Sequence, residues 1–70
     1  MNASKTQIGA SIRYERESQG FSQGRVAQAA GISRNGLALI ERGSNPTINT
    51  LTAIAKALGL RLEIKMVRYE

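Results

Sequence analysis

Residues 23–43, QGRVAQAAGISRNGLALIERG, constrain the fold of this chain more than any other stretch. Their small and apolar positions fall where two short helices crossing about a tight turn require them. Ala27 and Gly31 stand four residues apart, with Val26, Ala30, Ile32, Leu37 and Ile40 around them. A first helix that lets a second approach closely across its middle needs a residue no larger than Ala at position 27. The turn needs a positive φ, which Gly31 reaches without a Cβ clash. Val26, Ala30 and Ile32 then fill the inside of the corner. Leu37 and Ile40, three apart, give the second helix one buried face.

The flanking sequence predicts two more helices. From Thr6 to about Gln19, Ile8 and Ile12 repeat at four residues among charged neighbours, and Gly20 ends the pattern. Phe21 is a core anchor. Ser22 caps a helix from Gln23 to about Ala30, and Ser33 caps the next one. Gly43-Ser44-Asn45-Pro46 reads as a loop, after which Thr47 caps a helix whose apolar stripe is Ile48, Leu51, Ile54, Ala55 and Leu58, stopped by Gly59. Beyond it, Leu60, Leu62, Ile64 and Met66 alternate with Arg61, Glu63, Lys65 and Val67, the period of a half-buried strand. A helical reading, with Leu60, Ile64 and Val67 on one face, stays open. A lone strand leaves its backbone donors and acceptors unpaired. The expected partner is the same strand of a second copy, with Leu60, Leu62, Ile64 and Met66 as dimerisation residues; the alternative partner is the N-terminal segment of the same chain. The expected architecture is an all-α, four-helix domain with a C-terminal β-strand pairing across a dimer. Its divisions are a flexible arm at residues 1–5, a helical domain at 6–59 and a dimerisation strand and tail at 60–70.

Seventy residues allow a single domain with a small core. Lys and Arg outnumber Asp and Glu by ten to five, which favours a polyanionic partner. Aromatic residues are too few to stack single-stranded bases, so the polyanion expected is a duplex. Cysteine is absent, which excludes disulfides and thiolate metal sites, and without His a zinc site would rest on carboxylates alone. No metal or cofactor is expected. Nucleophilic and metal-assisted catalysis likewise find no constellation of residues, so the expectation is that the chain is not an enzyme. No apolar run approaches the roughly 18 residues of a membrane span, and the start MNASKTQ lacks the core of a signal peptide. A cytoplasmic location away from membranes is expected.

Over about residues 7–60 the chain resembles the phage-repressor and Cro type of helix-turn-helix proteins, the Xre family. The resemblance is carried by Ser22-Gln23, Ala27 with Gly31-Ile32-Ser33, Ile40-Glu41-Arg42-Gly43, Asn45-Pro46 and Ile54-Ala55-Lys56-Ala57-Leu58-Gly59. The ending ALGLRLEIKMV is similar to the HipB-like antitoxin subset, in which a dimerising strand replaces a fifth helix. What the resemblance implies is a lambda-repressor-like fold whose third helix enters the major groove of double-stranded DNA. Ser33, Arg34, Asn35 and Ala38 would then stand at the exposed start of that helix, Arg34 suiting guanine O6 and N7 and Asn35 suiting adenine N6 and N7. Gln23 would sit over a phosphate at a helix start, and Arg42, Ser44 and Asn45 would hold phosphate from the following loop. Arg16 and Glu41 match a family pair that forms a buried salt bridge between the first and third helices.

Two positions depart from the family pattern. Gly36 weakens the recognition helix but lets its backbone approach a phosphate or base edge. Leu39 stands where a polar, base-contacting residue is common; it suits a thymine methyl, or packs at a dimer or partner surface. The expected function is a sequence-specific, dimeric repressor of a palindromic operator. The tail adds the expectation of an autoregulating antitoxin that binds a toxin protein. The alternative is a protein-interaction module that keeps the fold without specific DNA binding.

Overall fold

The computed structural model describes residues 5–68 and contains four helices among them: α1 (Lys5–Ser18), α2 (Gln23–Ala30), α3 (Arg34–Glu41) and α4 (Ile48–Ala57). The start of each of the last three follows from a hydroxyl cap. Ser22 Oγ accepts from the Arg25 backbone N–H at 3.1 Å, Ser33 Oγ from Gly36 at 2.9 Å and Thr47 Oγ1 from Thr50 at 3.1 Å. Each cap satisfies one of the N–H groups that a helix start leaves without an internal partner. Of the arm expected at residues 1–5, residues 1–4 lie outside the described residues, and Lys5 already belongs to α1.

The corner between α2 and α3 is built on Gly31, at φ 74° and ψ 28°. This left-handed residue lets Ile32 N–H reach back to the Ala27 carbonyl at 3.0 Å, closing α2 and turning the chain toward α3. Ala27 is 1% exposed, as the close crossing of the two helices requires. Ile12, Val26, Ala27, Leu37, Ile40, Ile54 and Leu58 form the core, with Ile8, Phe21, Ala30, Ile32, Leu51 and Ala57 packed on it. α2 lies against both α3 and α4, while α1 lies against α3.

A feature that periodicity does not reveal fixes the α1–α3 contact. Gly9 is buried on α1, and a Cβ built there would collide with the backbone carbonyl of Ile40 and come within 2.8 Å of the Glu41 carbonyl oxygen. Neither obstacle is a movable side-chain end. Gly9 therefore sets how near the backbone of α1 comes to the last turn of α3.

Residues 60–68 correct the expected strand: in the single chain they form neither strand nor helix. A strand exists only through ladder hydrogen bonds, and no described segment of the same chain supplies them here. Leu62 is half-buried, and Leu60 and Leu62 help line an apolar groove with Ile8, Ile12, Leu51 and Leu58. Ile64 and Met66, by contrast, are exposed, Met66 at 95%.

Candidate nucleic-acid interface

The two faces of α3 separate cleanly. Leu37, Ile40 and Glu41 are buried, while Arg34, Asn35 and Leu39 are exposed, as is Arg42 immediately after the helix. Asn35 and Leu39, four residues apart, stand one above the other on the outward side. A hollow of about 330 Å³ lies between the starts of α2 and α3, lined by Gln23, Arg34, Asn35, Ala38 and Arg42. The Arg34, Asn35 and Arg42 side chains have no hydrogen-bond or ion-pair partner among the described residues. Two guanidiniums and an amide thus converge on one surface with their donors directed to solvent.

Behind this surface is a buried ion pair. Arg16 Nε donates to Glu41 Oε2 at 2.7 Å and Nη2 to Oε1 at 3.1 Å, while Nη1 donates to the Phe21 carbonyl at 2.9 Å. Both residues are 8% exposed. The paired geometry and the extra carbonyl acceptor compensate for removing two charges from water. Burial by itself raises the Glu41 carboxyl, but hydrogen bonds from Arg16 and Gln23 and the charges of Arg16 and Arg13 outweigh it. The net result holds the carboxyl below its ordinary range. The hydrogen bond to Glu41 and its charge raise the Arg16 guanidinium against the opposing effect of burial.

Gln23, expected over a phosphate at the start of α2, is also tied to the ion pair. Its Nε2 donates to Glu41 Oε1 at 3.1 Å, linking the start of α2 to the ion pair and leaving its second amide N–H and its carbonyl oxygen available. Ser33 is exposed, with its hydroxyl engaged as the α3 cap. Gly36 supplies the N–H for that cap, and a Cβ at this position would meet Ser33 Oγ at 3.0 Å. A side chain there would crowd the cap unless the Ser33 hydroxyl gave way by a few tenths of an ångström. Ser44 and Asn45 are exposed on the loop after α3 and line neither this hollow nor the one beside it. That second hollow, about 280 Å³, is lined by Arg13, Arg16, Gln23, Ala38, Glu41 and Arg42. The sequence reading missed Arg13, since nothing in the spacing of α1 shows that this residue borders the same surface as α3.

Comparison with known families decides the kind of domain to which this geometry belongs. A helix-turn-helix profile matches residues 12–65. The chain belongs to the helix-turn-helix family. This helix-turn-helix chain is of the Xre, phage-repressor type, and its similarities extend to repressors and regulators. It is 39% identical over 56 residues to the immunity repressor protein of Bacillus phage phi105, a match covering 79% of this chain and 39% of the repressor. The helix-turn-helix chain therefore spans about two fifths of that relative's length. Among solved structures, it is similar to the clp gene regulator ClgR of Corynebacterium glutamicum (TM-score 0.79, 28% identity, covering 81% of this chain and 62% of that one). It is equally similar to the restriction-modification controller protein C.AhdI of Aeromonas hydrophila (TM-score 0.79, 28% identity, 81% and 88% covered).

Proposed function

We propose that this protein is a sequence-specific, double-stranded DNA-binding transcriptional repressor. The observation that carries this reading is the convergence of Gln23, Arg34, Asn35 and Arg42 on one hollow, with both guanidiniums and the Asn35 amide unpartnered among the described residues on the exposed side of α3. Phosphates supply acceptors for such donors, and base edges in the major groove supply them in a sequence-dependent pattern. In this reading α3 enters the major groove, Arg34 reads a guanine, Asn35 an adenine and Leu39 a thymine methyl beside it. Ser33 and Ala38 complete the base-facing start. Gln23, Gly36, Arg42, Ser44 and Asn45 hold the backbone. The surplus of five positive charges makes binding salt-dependent. Its likeness to an immunity repressor, a gene regulator and a controller protein favours regulation over an unrelated use of the fold.

In the same reading, residues 6–59 form the DNA-binding domain and residues 60–70 pair with those of a second copy. The exposed apolar residues Leu60, Ile64 and Met66 support this pairing. Twofold symmetry then places two α3 helices about 34 Å apart on a palindromic operator. The finer role, an autoregulating antitoxin that holds a toxin protein, rests on the tail's resemblance to antitoxins and on Ile64, Met66 and Val67 at its surface.

Selection of bound duplexes from a random pool near physiological salt tests the function. Enrichment of a palindrome is expected, and Arg34→Ala should lose about 1–3 kcal/mol of discrimination at one base pair while leaving the fold unchanged. A folded protein that enriches no sequence favours the protein-interaction module instead, for which exposed Leu39 is the supporting feature.

A further inference from the structure

We infer that Arg13 of α1 is a further phosphate-binding residue of the DNA interface, and that Glu17 competes with the phosphate for it. The inference rests on the DNA-binding reading above. The hollow containing Arg13 and the hollow at the start of α3 share Gln23, Ala38 and Arg42, so they adjoin. A duplex backbone covering one borders the other. Arg13 lies three residues before Arg16 on the same side of α1, which places its guanidinium at the rim of the ion-pair site. Its charge reaches Glu41 there.

The charges within this hollow identify which cations are available. Arg13, Arg16 and Arg42 face a single carboxylate, Glu41. Arg16 is neutralised by Glu41, commits three of its N–H groups to Glu41 and the Phe21 carbonyl, and is buried, so its charge is not available to a phosphate. The surplus positive charge therefore resides on Arg13 and Arg42. Arg13 has one internal partner among the described residues: Nε donates to Glu17 Oε2 at 3.1 Å, one turn along the helix, with side-chain exposures of 63% and 54%. An exposed pair of this kind is weak, and a phosphate with its doubly accepting oxygens displaces it readily. Even when the pair persists, the terminal N–H groups of Arg13 remain free. Glu17, also 3.8 Å from Arg16 Nη2, is the negative charge that an approaching phosphate must overcome.

The test is a titration of the full chain, over a range of salt concentrations, against its selected operator and a scrambled duplex. Arg13→Gln should weaken both duplexes by about fivefold per bound subunit at 0.15 M salt and reduce the slope of log K against log salt by about 0.9 per subunit, about 1.8 for the dimer. Arg13→Lys, which keeps the charge, should retain the slope. Lys56→Gln removes a positive charge from the end of α4, outside both hollows, and should also retain it. Glu17→Gln should tighten binding, and the gain should be clearly smaller in the Arg13→Gln background. A parental slope in Arg13→Gln, or a Glu17→Gln gain undiminished without Arg13, overturns the inference. A parent chain that binds neither duplex overturns the DNA-binding reading itself. All three positions are exposed, so circular dichroism should report an unchanged fold in each variant.

Discussion

At Glu41, one carboxylate joins stability to the interface. It accepts two bonds from Arg16 and one from Gln23, closing a path from the core to the first residue of α2. Because its folded-state pKa is depressed, the unfolded chain takes up the proton first as pH falls. Glu41 therefore stabilises the fold fully above the ordinary carboxylate range near about 4.3, and this contribution declines as pH falls through the lower, folded value. Glu41→Gln should be destabilised at pH 7 by about 3–5 kcal/mol, because Arg16 is left with an uncompensated buried charge. The deficit relative to the parent should shrink on acidification through that window. Urea unfolding at pH 7, 5 and 3 measures it; a deficit constant across pH would show that Glu41 is not the linked group. The pairing of Arg16 with Glu41 is visible through family resemblance, but the Gln23 bond is not, since it depends on where the start of α2 stands relative to the end of α3.

The helices themselves were legible because their signals are local. Ser22, Ser33 and Thr47 each cap a helix at the position that their sequence context indicates, and the left-handed Gly31 makes the corner. How α1 docks was not legible. Gly9, three residues before Ile12, shares the apolar side of α1, but the spacing does not show that the carbonyls of Ile40 and Glu41 lie where its Cβ would be. Gly9→Ala gains about 1 kcal/mol of helix propensity, but the added methyl must push backbone apart rather than turn a side chain aside. The expected outcome is net destabilisation of about 1–3 kcal/mol by chemical denaturation, with the Arg16–Glu41 pair weakened along with it. A Gly9→Ala variant as stable as the parent would mean that α1 shifts without penalty. The tail shows the opposite limit: its alternation is clear in sequence, but an isolated segment has no ladder to join.

For the whole molecule, the decisive question is what a second copy adds. The single chain leaves Leu60, Ile64, Met66 and Val67 at its surface, and Leu60 also lines the groove with Ile8, Leu51 and Leu62. Truncation after Gly59 should give a folded monomer by analytical ultracentrifugation and weaken operator binding much more than binding to a single half-site, because linked half-sites act at high effective concentration. A truncated chain that still dimerises would place the interface elsewhere. At this scale too, sequence and tertiary structure had different shares. The sequence alone determined the four helices, the small-residue corner, the outward face of α3 and the positive charge, since caps, glycine conformations and helical periodicity act over a few residues. Only the tertiary structure put Arg13 on one hollow with Arg42, bound Gln23 to Glu41 and pressed the backbone of α1 at Gly9 against α3. Those three arrangements join segments that are distant in sequence, and they are set by how the helices pack rather than by any local preference.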